Sequence, residues 1–101
     1  MHDQNPSRPV TAAPNESLLK LRLITCSQSQ DDARKWLLSF EIIETSAVFG
    51  PQFAEPGKTV EGFSFENFQD FKPGDTVSAR AEYLGGAHHG YYQLTRPEKA
   101  D

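Results

Sequence analysis

Residues 76–84, TVSARAEYL, alternate strictly: Val77, Ala79, Ala81 and Tyr83 fall on one side, and Ser78, Arg80 and Glu82 on the other. A period of two marks an extended strand with one face on a core and the other in water, whereas an amphipathic helix repeats its apolar positions every three to four residues. The same alternation runs through LLKLRLITC, where Leu19, Leu21 and Leu23 oppose Lys20 and Arg22, and through WLLSFEIIET, where Trp36, Leu38, Phe40 and Ile42 share a side. Three such segments, and no helical pattern of useful length, commit the chain to β-structure.

The intervening stretches punctuate these strands. SQSQDDARK is a polar loop, and SAVFGPQFAEPGK is a long loop in which Gly50-Pro51 and Pro56-Gly57 confine any pairing to an edge strand at Ala47 to Phe49. TVEGFSFEN is a third strand with Phe63 and Phe65 on one side and Val60 out of phase, a mismatch that a bulge at Gly62 would reconcile. FENFQDF places Phe65, Phe68 and Phe71 three apart, which suits either one helical or 3₁₀ turn plugging the end of a barrel or an extended connector. KPGD is a turn, and GYYQLT is a last strand, closing a hairpin over GGAHHG.

Five strands predict an all-β fold: a small five-stranded antiparallel barrel, OB-like, with a short helical turn at most. The rival is an immunoglobulin-like β-sandwich, which would require the loop at 46–57 to supply further strands. The 101 residues suffice for one core, and although hydrophobic residues are only 37% of the chain, aromatics at 11% supply large buried areas. Residues 1–15, with Pro6, Pro9 and Pro14 among polar neighbours, are expected to form a disordered tail; 16–97 form the domain, and 98–101 a C-terminal tail.

Charge narrows the function. The formal net charge is -4, and between Glu55 and Asp75 the carboxylates Glu55, Glu61, Glu66, Asp70 and Asp75 outnumber Lys58 and Lys72, which disfavours affinity built on neutralising many phosphates. Cys26 is the single cysteine, so the chain can form no internal disulfide and lacks the usual zinc thiolate sets; a cytoplasmic location is expected, or a periplasmic one if a signal peptide has been removed. No apolar run approaches the roughly 20 residues that span a bilayer.

In an OB-like barrel the loops joining strands one to two and four to five lie at a binding end. That placement selects Arg34, Lys35, His88, His89 and Tyr91 as candidate ligand-binding residues, a convergence of cations, imidazoles and an aromatic ring. Adjacent histidines on an extended backbone point to opposite faces, so His88 and His89 do not make a metal site, and no cofactor is expected. The glycines around them account for the turn by themselves. Tyr91 and Tyr92 alternate, one buried and one exposed, while Arg80 and Glu82 are read as an ion pair on the solvent face.

The sequence contains no nucleophile elbow, phosphate-binding glycine loop or helical histidine pair, so catalysis is not expected. The expected function is a non-catalytic binding or adaptor module for a protein or small polar ligand, as a monomer or an edge-strand homodimer. The alternative is weak single-stranded nucleic-acid binding at the barrel end.

Overall fold

The computed structural model describes residues 13–85 and 90–100. Five strands form in chain order: β1 (Glu16–Gln28), β2 (Trp36–Phe49), β3 (Thr59–Ser64), β4 (Thr76–Gly85) and β5 (Gly90–Lys99). They make one sheet, in the order β1-β2-β3-β5-β4, that closes into a ring through the β1–β4 pairing. The expected all-antiparallel sheet is corrected at one seam: β3 and β5 run parallel and pair at Gly62 with Tyr92 and at Phe63 with Gln93. The sheet is therefore mixed.

The alternating residues read from the sequence fill the ring. Leu19, Leu21 and Leu23 of β1, Leu38, Phe40 and Ile42 of β2, Val77, Ala79 and Ala81 of β4, and Tyr92 and Leu94 of β5 are all buried, and Trp36 packs against them. At roughly 1.5–3 kcal/mol for each large apolar side chain taken from water, this contiguous cluster supplies the main driving force for closure.

β2 runs to Phe49, so Ala47 to Phe49 belong to it rather than to a separate edge strand. It does so by absorbing two extra residues: Lys20 faces Glu44 and Leu21 faces Ile42, which leaves Ile43 as a bulge, and Ser17 faces Ala47 and Glu16 faces Phe49, which leaves Val48 as another. The phase shift turns Thr45 toward Leu19, and the Thr45 hydroxyl is buried without a hydrogen-bond partner among the described residues.

β3 has no bulge at Gly62, because its pairing with β2 is continuous from Thr59 to Ser64. The conflict of phase is resolved the other way: Gly62 and Ser64 turn inward beside the half-buried Val60, and Phe63 turns out. A Cβ at Gly62 would lie 2.6 Å from the Tyr92 carbonyl oxygen and 3.0 Å from the Phe40 ring, so only glycine lets β3 approach β5 here. Ser64 then ties the seam, donating to the Leu94 carbonyl at 2.7 Å while accepting from the Glu66 amide at 3.0 Å.

Residues 65–75 form no helix; they are the extended connector, with turns, that was the alternative to a helical plug, and Phe68 is fully buried in the core cluster. β5 continues through Lys99 across a bulge at Arg96 and Pro97 opposite Ala79. Arg96 takes a left-handed φ of 53° there, and Pro97 needs no partner for a donor it lacks. Arg80 pairs with Glu16 across the β1–β4 seam rather than with Glu82.

Candidate functional site

Because Gly62 and Ser64 face inward, the side chains on either side of Ser64 face water. Phe65 is 51% exposed, Tyr91 45% and Leu37 44%, and Phe63 lies among them. The Phe63 ring centroid is 5.6 Å from that of Phe65 and 5.7 Å from that of Tyr91, so three rings touch edge to face or tilted on the outside of the sheet. Leu37 is the cross-strand partner of Phe63, and the Lys35 ammonium sits 4.7 Å from the Phe63 centroid. Lys35, Leu37, Glu61, Gly62, Phe63 and Tyr91 line a cleft of about 280 Å³ across β2, β3 and the start of β5.

Isolated apolar side chains on a surface are ordinary, whereas a contiguous cluster of aromatic rings with a charged rim marks a contact surface. Charges at this face are few and of both signs: Lys35 and Glu61 line the cleft, and neither has a salt-bridge partner among the described residues.

Of the residues selected from the sequence, Lys35 and Tyr91 meet in this cleft. Arg34 does not join them. Its guanidinium bonds both carboxylate oxygens of Asp32, whose acidity is raised first by that side-chain hydrogen bond and then by the Arg34 backbone amide. The pair stabilises its own loop, where the Arg34 amide also donates to Asp32 at 2.9 Å. His88 and His89 lie outside the described residues.

Leu37, Phe63 and Phe65 were not selected from the sequence: Phe63 and Phe65 were read only as one side of a strand, and the alternation that groups Trp36, Leu38 and Phe40, and so turns Leu37 the other way, was not followed to Leu37. The available signal was Gly62 and Ser64: two small residues at alternate positions cannot fill a core, so their bulky neighbours carry the exposed face.

Two other clefts are occupied by structural work. One, of about 250 Å³, is lined by Asn15, Glu16, Phe49 and Arg80, but Glu16 and Arg80 pair with each other and Asn15 is bonded to β4. The other, of about 280 Å³, borders Phe53, Glu55, Tyr83 and Tyr92. Its rings satisfy one another: Phe53 stacks on Tyr83 at 4.6 Å and Tyr83 meets Tyr92 edge-on at 5.1 Å. The Tyr92 phenol is pushed up to about 12, chiefly by burial, with Tyr83 and Glu55 adding to the effect.

Burial likewise raises the Cys26 thiol, which weighs against a reactive thiolate. Among the described residues no group of three or more His, Cys, Asp or Glu is placed to hold a metal ion, and no helix is long and apolar enough to cross a membrane. No protein-family model matches the chain, and neither a curated protein nor a solved structure matches it.

Proposed function

We propose that the chain is a non-catalytic binding module, an OB-like barrel that meets a protein partner through the outer face of β2, β3 and β5. The strand order β1-β2-β3-β5-β4 with a parallel β3–β5 seam favours the OB-like reading over an immunoglobulin-like sandwich, which needs two separate sheets packed face to face. In OB barrels the face of strands two and three is a binding surface, and here that face carries the exposed rings.

The observation that carries the reading is the exposure of Leu37, Phe65 and Tyr91 around the half-buried Phe63 ring, beside one open cleft that Leu37, Phe63 and Tyr91 line. An open apolar cleft suits a macromolecular surface better than a small polar ligand, which needs enclosure and several convergent polar groups. A protein is favoured over a nucleic acid because, among the described residues, Lys35 is the one cation lining the cleft, Glu61 lines it too and the chain carries -4 overall. The test is affinity capture from a lysate of the source cell with wild type, Leu37→Asp and Val48→Asp as baits. Val48 is as exposed as Leu37, at 46%, but lies at the far end of β2. A partner lost with Leu37→Asp and kept with Val48→Asp supports the reading; the reverse pattern refutes it.

A second reading, single-stranded nucleic-acid binding, is favoured by one observation: Lys35 over Phe63, flanked by two further rings, resembles a stacking platform with a phosphate contact. A labelled oligonucleotide titrated at low salt against wild type, Phe65→Ala and the His88→Ala/His89→Ala double variant decides it. Loss with Phe65→Ala supports this face, loss with the histidine variant alone moves the site to the β4–β5 loop, and no binding at low salt removes the reading.

A further inference from the structure

We infer that the cleft beside Tyr92, at the end of the ring where β3 and β5 start and β4 stops, binds the ammonium group of a small alkylamine. This site is separate from the outer aromatic face, because Tyr92 is buried in the ring whereas its neighbour Tyr91 is turned out to solvent. The cleft of about 280 Å³ has Ile42 and Val60 as apolar lining and the rings of Phe53, Tyr83 and Tyr92 beside them.

These walls are held in place. Ala54 is buried in the core, and the turn that follows is tied to β2: the Gly57 amide donates to the Ile42 carbonyl at 2.7 Å, and the Ile42 amide to the Lys58 carbonyl at 2.9 Å. Phe53 stacks on Tyr83, and the planes of Tyr83 and Tyr92 meet at 62°, so the aromatic lining is a corner rather than a flat wall. Gly90 admits the Tyr83 ring, since a Cβ there would lie 2.2 Å from its hydroxyl oxygen. A site built in advance in this way loses little freedom on binding.

The ring contacts leave the polar groups of the cleft unused. Tyr92 is only 4% exposed, and its hydroxyl has no hydrogen-bond partner among the described residues; unlike that of Thr45 it is not sealed but opens on the cleft. Glu55 and Lys58 also border the cleft, and neither forms a salt bridge among the described residues. Of these two charges it is the carboxylate that reaches the phenol: burial, then Tyr83 and Glu55, raise Tyr92, and no described cation opposes them.

Aromatic rings, a carboxylate and a neutral phenol oxygen all attract a positive charge. An ammonium with N–H groups engages all three at once, donating to Glu55 and to the Tyr92 oxygen, while its alkyl chain lies on Ile42 and Val60. An anion would have Lys58 alone in its favour.

The test is an amide NMR titration of the isotope-labelled full chain with n-butylammonium chloride and, separately, with sodium acetate, at constant ionic strength. Butylammonium is expected to give saturable shifts at Glu55, Thr59, Tyr83, Gly90 and Tyr92 with a dissociation constant on the order of 1 mM, and acetate none. Glu55→Gln should weaken binding about five- to tenfold, Phe53→Ala and Tyr92→Phe about threefold each, and Lys58→Gln should strengthen it about twofold. Tetramethylammonium, which has no N–H to donate, should bind at least about threefold more weakly. The spectra confirm each fold, and the exposed Glu55 and Lys58 decide the matter should a ring variant loosen this end of the sheet. Nα-acetyl-lysine methylamide separates two sources of the same group: affinity within about threefold of butylammonium assigns the site to a lysine side chain, and a weaker one to a free amine, the inference standing in both cases. It is overturned by the absence of saturable shifts up to about 50 mM, by equal binding of acetate, by shifts confined to Phe63 and Tyr91, or by affinity unchanged in Glu55→Gln.

Discussion

The side chain of Asn15 completes the sheet where the backbone of β1 does not: its Oδ1 accepts from the Tyr83 amide at 2.9 Å and its Nδ2 donates to the Tyr83 carbonyl at 3.1 Å. The β1–β4 ladder ends at Ser17 opposite Ala81, so Asn15 falls where the next strand pair would stand and supplies the same donor and acceptor from its amide. Gly50 closes over it with a φ of 76°, its backbone so near that a Cβ would lie 2.2 Å from the Pro14 carbonyl oxygen. Replacing Asn15 with Ala leaves two backbone groups of Tyr83 without partners and is expected to cost about 1–3 kcal/mol in urea unfolding. Asn15→Asp keeps the acceptor and loses the donor, and should fall between Ala and wild type.

The β3–β5 seam is predicted to tolerate no side chain at Gly62. With the Tyr92 carbonyl 2.6 Å from the position a Cβ would take, Gly62→Ala forces the parallel strands apart and should destabilise the fold by about 1–3 kcal/mol. Gly57→Ala gives the contrasting case: no atom lies near its Cβ position, so any loss there reports the φ of 89° alone, a penalty that Gly62 does not carry.

Thr45→Val is predicted to stabilise. The bulge at Ile43 turns Thr45 to the side of Leu19, where its hydroxyl is buried with no partner among the described residues, and an isosteric methyl removes that cost. A gain of about 1 kcal/mol or more in chemical unfolding is expected; a loss would mean that the hydroxyl finds a partner in solution.

Alkaline unfolding should report Tyr92. Its phenol is raised from about 10 in the unfolded chain to about 12 in the fold, so the folded state holds this proton more tightly. The associated stability is complete below pH 10 and is lost as pH rises toward 12. An ultraviolet titration of the tyrosines should show one titrating late, and Tyr92→Phe should flatten the decline in stability across that window. A titration in which all three ionise together would contradict the burial of Tyr92.

Much of the fold was legible because a half-buried strand writes its period into the chain: Leu19, Leu21 and Leu23, and Val77, Ala79 and Ala81, were assigned inward and are buried. Two things escaped. The bulges at Ile43 and Val48 in β2 have no local signature, since an extra residue in IIETSAVF depends on pairing with β1 rather than on composition. The parallel β3–β5 seam escaped because Gly62 reads as a bulge signal, whereas it serves a close approach between strands distant in sequence. The same misreading hid the face: with Gly62 taken as a bulge, neither side of β3 was assigned to water, and only Lys35 and Tyr91 of the cleft were selected from the chain.

The most direct measurement is hydrogen–deuterium exchange on the chain free and bound to the protein recovered with it, a second copy included. The account predicts added protection in peptides covering Lys35 to Glu41, Thr59 to Glu66 and Gly90 to Leu94, with the Gly50 to Lys58 loop unchanged. Protection confined to that loop or to the Val48–Phe49 end of β2, with the aromatic face unaltered, would contradict it.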